Sequence, residues 1–149
     1  MGKTTVVAEL DDCLIMDLEQ GSDFVNALKL DIIKIAKDED KLPIIVLKEA
    51  INAIKESNKE RGSYTYKYIA IDTVSALEPI ALPLANKLYQ DTSIGRNWAG
   101  DDVTLLPNGA GYRYTRQALS MILNDLREIC DTLIILGHVK DKLIEKEGK

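Results

Sequence analysis

Tyr66-Lys67-Tyr68-Ile69-Ala70-Ile71-Asp72 follows the break Arg61-Gly62-Ser63 and decides the fold, because it is a short apolar run that ends in a carboxylate. A run of this length bounded by turn residues reads as a buried strand. Before it, Ile44 to Lys59 sets Leu47, Ala50, Ile51 and Ile54 at helical spacing, with Lys48, Lys55 and Glu56 off that stripe. That pattern is an amphipathic helix. After it, Ser75 and Glu78 match a capping box, which predicts a helix starting there, with Pro79 tolerated in its first turn and Pro83 bending or restarting it.

The same alternation extends in both directions. A helical pattern from Lys3 to Leu10 precedes Cys13-Leu14-Ile15-Met16-Asp17, which reads as a buried strand, and Glu19-Gln20-Gly21-Ser22 reads as a turn. Phe24 to Ile35 fits a strand such as Leu28 to Ile33 as well as it fits a helix. Towards the end, Leu119, Ile122, Leu123, Leu126 and Ile129 share one helical face, and Thr132 to Leu136 is another buried strand, followed by Gly137-His138. Strands alternating with helices imply βαβ units. The expected fold is therefore α/β, a three-layer, mainly parallel sheet with helices on both faces. Such sheets hold ligands at the carboxyl ends of their strands, so Glu19, Asp72 and His138 are expected on one rim. Between Asp91 and Gly111 there is no periodicity, and Gly95, Gly100, Pro107 and Gly109 interrupt the chain. This stretch reads as a long mobile loop.

The 149 residues fit a single domain. Aromatic residues are sparse at 5%, so aliphatic side chains must fill the core. No apolar run is long enough to cross a bilayer and no signal pattern opens the chain, which points to a cytoplasmic protein without membrane contact. Cys13 and Cys130 suit buried reduced thiols better than a disulfide framework, and a single histidine argues against zinc. The net charge of −5 excludes a generally basic nucleic-acid coat but leaves room for a local basic patch.

Candidate chemistry begins with Met1-Gly2-Lys3-Thr4-Thr5, whose Gly-Lys-Thr matches the second half of the phosphate loop G-x-x-x-x-G-K-[ST]. In such a loop, backbone amides and a helix N-terminus surround the phosphate, the lysine neutralises its oxygens and the hydroxyl ligates magnesium. The same tripeptide also occurs by chance at solvated helix starts. Asp72 closes an apolar strand, as a carboxylate holding a magnesium-bound water must, and equally fits a helix-capping aspartate. Glu19 follows a strand and could polarise a water as general base, or be merely solvated. His138 sits where an imidazole could sense a γ-phosphate, or could be a satisfied polar residue at a strand end.

Taken together, four blocks resemble the RecA-like P-loop ATPases, and in particular the phage-encoded AAA-type nucleotide-binding proteins related to single-strand annealing recombinases. The blocks are Gly2-Lys3-Thr4-Thr5, Leu14 to Glu19 with Gly21-Ser22-Asp23, Tyr68 to Leu77, and Thr132 to Val139. The resemblance spans essentially the whole chain. It implies that Gly2, Lys3, Thr4 and Thr5 bind nucleotide, that Thr4 and Asp72 hold Mg2+, that Glu19 is the catalytic glutamate and that His138 is a sensor. ATP and Mg2+ are the implied cofactors, homo-oligomers the implied assembly, and a bacterial cell or phage-infected host the implied setting. Against that pattern the first strand and the first half of the loop are missing, and the chain reads as truncated at both ends.

The resemblance also makes the Asp91 to Gly111 loop similar to a DNA-facing loop. Arg96, Trp98 and Arg113, with Tyr89, Tyr112, Tyr114 and Arg116, combine stackable rings with guanidinium groups, as single-strand grooves do. Rings that merely anchor the loop would look the same. The expected function is a Mg2+-dependent ATPase of a DNA recombination or replication system. The alternative is a catalytically inactive module that binds single-stranded DNA or self-assembles. A nucleotide kinase would share the phosphate loop, but would need a second nucleotide pocket and a basic lid.

Overall fold

The computed structural model describes residues 12–19 and 28–137. Gly2, Lys3, Thr4, Thr5, the helical pattern Lys3 to Leu10 and His138 lie outside them, as do residues 20–22 of the expected turn. The strands are β1 (Cys13–Asp17), β2 (Lys29–Asp31), β3 (Tyr68–Asp72) and β4 (Thr132–Leu136). Helices α1 (Ile32–Asp38) and α2 (Pro43–Arg61) join β2 to β3, and α3 (Val74–Gln90) and α4 (Tyr112–Glu128) join β3 to β4. The described strands form one four-stranded sheet, β2-β1-β3-β4, in which every pair is parallel. The chain is thus α/β with flanking helices, as the alternating pattern predicts.

Sheet register separates two faces. Leu14, Met16, Ile69 and Ile71 join one cluster with Ile32 of α1, Leu47 and Ile51 of α2, Leu77 and Ala81 of α3, and Ile122 and Leu126 of α4. Cys13, Ile15, Ala70 and Leu136 form a second cluster on the other face, flanked by Tyr68 and Ile134. Because side chains alternate along a strand, one pentapeptide serves both clusters. β1 and β3 lie centrally and read as near-continuous apolar runs for that reason.

The helices follow their stripes. In α2, Ile44, Val46, Leu47, Ile51 and Ile54 are buried, and the helix stops at Gly62, whose φ of 69° is the left-handed conformation glycine adopts without strain. In α4 the buried residues are Thr115, Ala118, Ile122 and Leu126, with Leu119 and Leu123 partly buried beside them. Asn58 ties three segments together: its Nδ2 donates to the Ile129 carbonyl at 2.9 Å, and its Oδ1 accepts from the Thr65 amide at 2.7 Å. The end of α2, the approach to β3 and the end of α4 are therefore fixed to one another.

Four local expectations change. The described part of the ambiguous Phe24 to Ile35 segment divides, giving strand β2 up to Asp31 and then α1, because the Asp31 carboxylate caps the new helix by accepting from the Lys34 amide at 2.9 Å. α3 begins at Val74 with Thr73 as N-cap, so Ser75 lies inside the helix and the Ser75/Glu78 capping box does not form. Pro79 then falls beyond the first turn, yet α3 continues through both Pro79 and Pro83 without restarting. Both prolines are on the exposed side, where carbonyls that lose their amide partner can be hydrated. Finally, β4 is an edge strand among the described residues, and Ile135 is 46% exposed, so it is less buried than its apolar sequence suggests.

Residues 91–111 contain two short 3-10 turns, Val103–Leu105 and Pro107–Gly109. Asn86 of α3 grips this segment, donating to the Asp101 carbonyl at 2.6 Å and accepting from the Val103 amide at 3.0 Å, while Val103 is fully buried. Gly111 lies against the Val103 carbonyl so closely that any side chain there would collide with it.

Candidate functional site

The carboxyl ends of the central strands carry the acids. Asp17 closes β1 and Asp72 closes β3, and the two are register partners, so their Cα atoms are about 5 Å apart, the spacing of neighbouring strands. Asp31, at the end of β2, is the register partner of Asp17 on its other side. All three therefore share the sheet face that carries Cys13, Ile15 and Ala70, opposite the face that joins the helix cluster. Asp72 is the last strand residue and Thr73 is the N-cap, so the alternative in which Asp72 is itself the N-cap of α3 does not hold.

Asp17 is the acid that reading the sequence for function passes over. It is 1% exposed, buried like the aliphatic residues before it. Its Oδ1 accepts the Glu19 amide at 3.0 Å, and Lys29 of β2 brings its Nζ to 3.7 Å from Oδ2. The signal was present in the sequence: Leu14-Ile15-Met16-Asp17 ends an apolar strand in an acid just as Tyr68 to Asp72 does.

Glu19 is exposed and stands two residues beyond β1. The Leu18 amide between them donates to the Asp72 carbonyl at 2.8 Å, so the turn carrying Glu19 is stitched to the end of β3. Glu19 and Leu18 border a cleft of about 460 Å³ whose walls include Leu42 and Pro43 at the start of α2 and Pro79 and Pro83 of α3. The structure thus brings Glu19 and Asp72 to one rim, as the parallel sheet requires. Gly2, Lys3, Thr4, Thr5 and His138 are outside the described residues. Of the two expected metal ligands, Asp72 alone is described; its carboxylate is a hard oxygen donor that suits Mg2+, and no group of three or more ligating side chains occurs among the described residues.

A family model described as an AAA domain matches residues 1–149. The chain belongs to the AAA domain family. Nucleotide binding, and ATPase activity in general, go with that membership, and the parallel sheet with flanking helices agrees with a P-loop NTPase-like fold. Searches of curated proteins and of solved structures return no match.

The rings of this AAA domain form a separate arrangement. Trp98 meets Tyr89 edge-on at 5.3 Å between centroids, and Tyr89 meets Tyr114 in the same manner at 5.3 Å. This chain of rings fastens residues 91–111 to the end of α3 and the start of α4. Beside it, Tyr89, Ile94, Tyr112, Arg113, Tyr114 and Arg116 line a recess of about 600 Å³. Arg96 is exposed and lies outside that lining. No described helix is long and apolar enough to cross a membrane.

The thiols sit apart from this chemistry. Cys13 and Cys130 are both buried and unbonded to each other, and burial pushes both thiols up from their ordinary value. For Cys13 the neighbouring Cys130 adds to the rise; for Cys130, a hydrogen bond from the Ile69 backbone opposes it.

Proposed function

We propose that this AAA domain binds ATP with Mg2+ and hydrolyses it, with Glu19 as general base, in a DNA recombination or replication system. The observation that carries the reading is the placement of Glu19 and Asp72 at the carboxyl ends of adjacent parallel strands, joined by the Leu18 amide to Asp72 carbonyl bond. Resemblance of the four sequence blocks to phage AAA-type proteins supports the DNA setting and a homo-oligomer.

In this reading Gly2, Lys3, Thr4 and Thr5 bind the phosphates, Thr4 and Asp72 hold the metal, and His138 responds to the γ-phosphate. Bound Mg2+ would neutralise charge on the phosphate oxygens. Glu19 takes a proton from a water as that oxygen bonds to the γ-phosphorus, the bond from that phosphorus to the bridging oxygen breaks, and ADP leaves.

Glu19→Gln keeps the shape of the side chain and removes its basicity. Turnover should fall by about 10²- to 10⁴-fold with affinity for an ATP analogue unchanged. Unaltered turnover in that variant removes Glu19 from the role of base.

A second reading, a module that binds single-stranded DNA, draws on the recess lined by Tyr112, Arg113 and Arg116, which combines ring faces with guanidinium charge.

A further inference from the structure

We infer that Asp17 is a positioning residue for Glu19, holding the turn beyond β1 so that the Glu19 side chain leaves the sheet rim from a fixed backbone. The inference rests on the hydrolysis reading for its catalytic consequence, but its structural half stands on Asp17 alone.

A carboxylate at a site 1% exposed is expensive, because burying its charge costs more than neighbouring ions usually return. Leu14, Ile15 and Met16 show that aliphatic residues are accommodated one step earlier in the same strand. The acid therefore calls for a reason, and its two oxygens supply one. Oδ2 faces Lys29 Nζ at 3.7 Å, from the adjacent strand β2, which balances charge and orients the group. Oδ1 accepts the Glu19 amide at 3.0 Å.

The preceding amide is held as well, Leu18 to the Asp72 carbonyl at 2.8 Å, and the Leu18 side chain is itself buried. Two successive amides are thus fixed, one by the main chain of β3 and one by the Asp17 side chain. Only the second can be removed by a substitution that leaves the sheet ladder intact. A general base gains from such fixation because misplacement by about 1 Å can cost on the order of 10²-fold in rate.

The test compares Asp17→Ala with Asp17→Asn in the full chain. Alanine deletes the acceptor; asparagine keeps an oxygen where Oδ1 stands and discards the charge. Asp17→Ala should lower kcat by about tenfold or more, with the dissociation constant for an ATP analogue changed by less than about threefold. Asp17→Asn should restore most of that loss. In parallel, hydrogen exchange at the Glu19 amide should quicken by about tenfold in Asp17→Ala, recover in Asp17→Asn, and leave the Ile71 amide in β3 unchanged.

Equal kcat in the unsubstituted and Asp17→Ala chains, or equal Glu19 amide exchange, overturns the inference. Exchange that quickens at Glu19 and Ile71 alike also overturns it, since that is general loosening of the sheet. Absence of turnover in the unsubstituted chain overturns the hydrolysis reading instead, and the exchange experiment still decides whether Asp17 holds the turn.

Discussion

The two faces of the sheet use the same strands to different ends. On one face Leu14, Met16, Ile69 and Ile71 meet the described helices, and every position is filled by a side chain whose only task is to exclude water. On the other, Cys13, Ile15 and Ala70 give way at the strand ends to Asp17 and Asp72. Adjacent residues such as Ile71 and Asp72 therefore face different surroundings: the first is packed in the helix cluster, the second closes the strand on the acid-bearing face. The helix face is where substitutions should cost stability, and the acid-bearing face where they should cost ligand binding.

That contrast is sharpest at those neighbours. Ile71→Ala, at a fully buried site, should destabilise the fold by about 2–5 kcal/mol, read as a lower urea midpoint. Asp72→Asn should weaken Mg2+-dependent binding of an ATP analogue by about tenfold or more, with the circular dichroism spectrum retained. Loss of folding in Asp72→Asn with binding intact would break the comparison.

A smaller effect separates the loop's anchor from the exposed guanidinium at the start of α4. Trp98→Ala should cost about 0.5–1.5 kcal/mol through the lost ring contact with Tyr89 and speed proteolysis within residues 91–111. Arg113→Ala, on the rim of the recess, should leave proteolysis unchanged and weaken any salt-dependent binding of a single-stranded oligonucleotide. Binding that survives Arg113→Ala counts against the recess as a nucleic-acid site.

The smallest effect concerns one thiol from each face. Cys13 and Cys130 are raised by burial, so the folded chain holds their protons more tightly than the unfolded chain does. Their contribution is fully present below the ordinary thiol value of 9.0 and is lost as pH rises past it. Native protein at neutral pH should label slowly with a thiol reagent and should lose stability above that pH. Rapid labelling of Cys13 alone would show that its face of the sheet opens more readily than the face packed on the helices.

The fold was legible because apolar periodicity and turn residues are local signals. Tyr68 to Asp72, the stripe of α2 and the strand Thr132 to Leu136 all stand where the pattern puts them. Legibility failed where two local signals competed. Ser75 and Glu78 offered a capping box, but β3 delivers the chain with Thr73 already extended, and the helix starts at once. Phe24 to Ile35 satisfied two periodicities because it contains a strand, Lys29–Asp31, and the start of a helix, separated by the Asp31 cap.

By itself, the sequence determined the alternation of strands and helices, the stripes that face the core, and the acids that close two apolar strands. Those features depend on neighbours within about two helical turns, and short-range chemistry encodes them. Only the tertiary structure decided that Asp17 is buried and bonded to the Glu19 amide, that Lys29 crosses from β2 to meet it, and that Trp98 is spent on Tyr89. Register between strands and contact between distant helices set those outcomes, and neither is written in the spacing of residues along one segment.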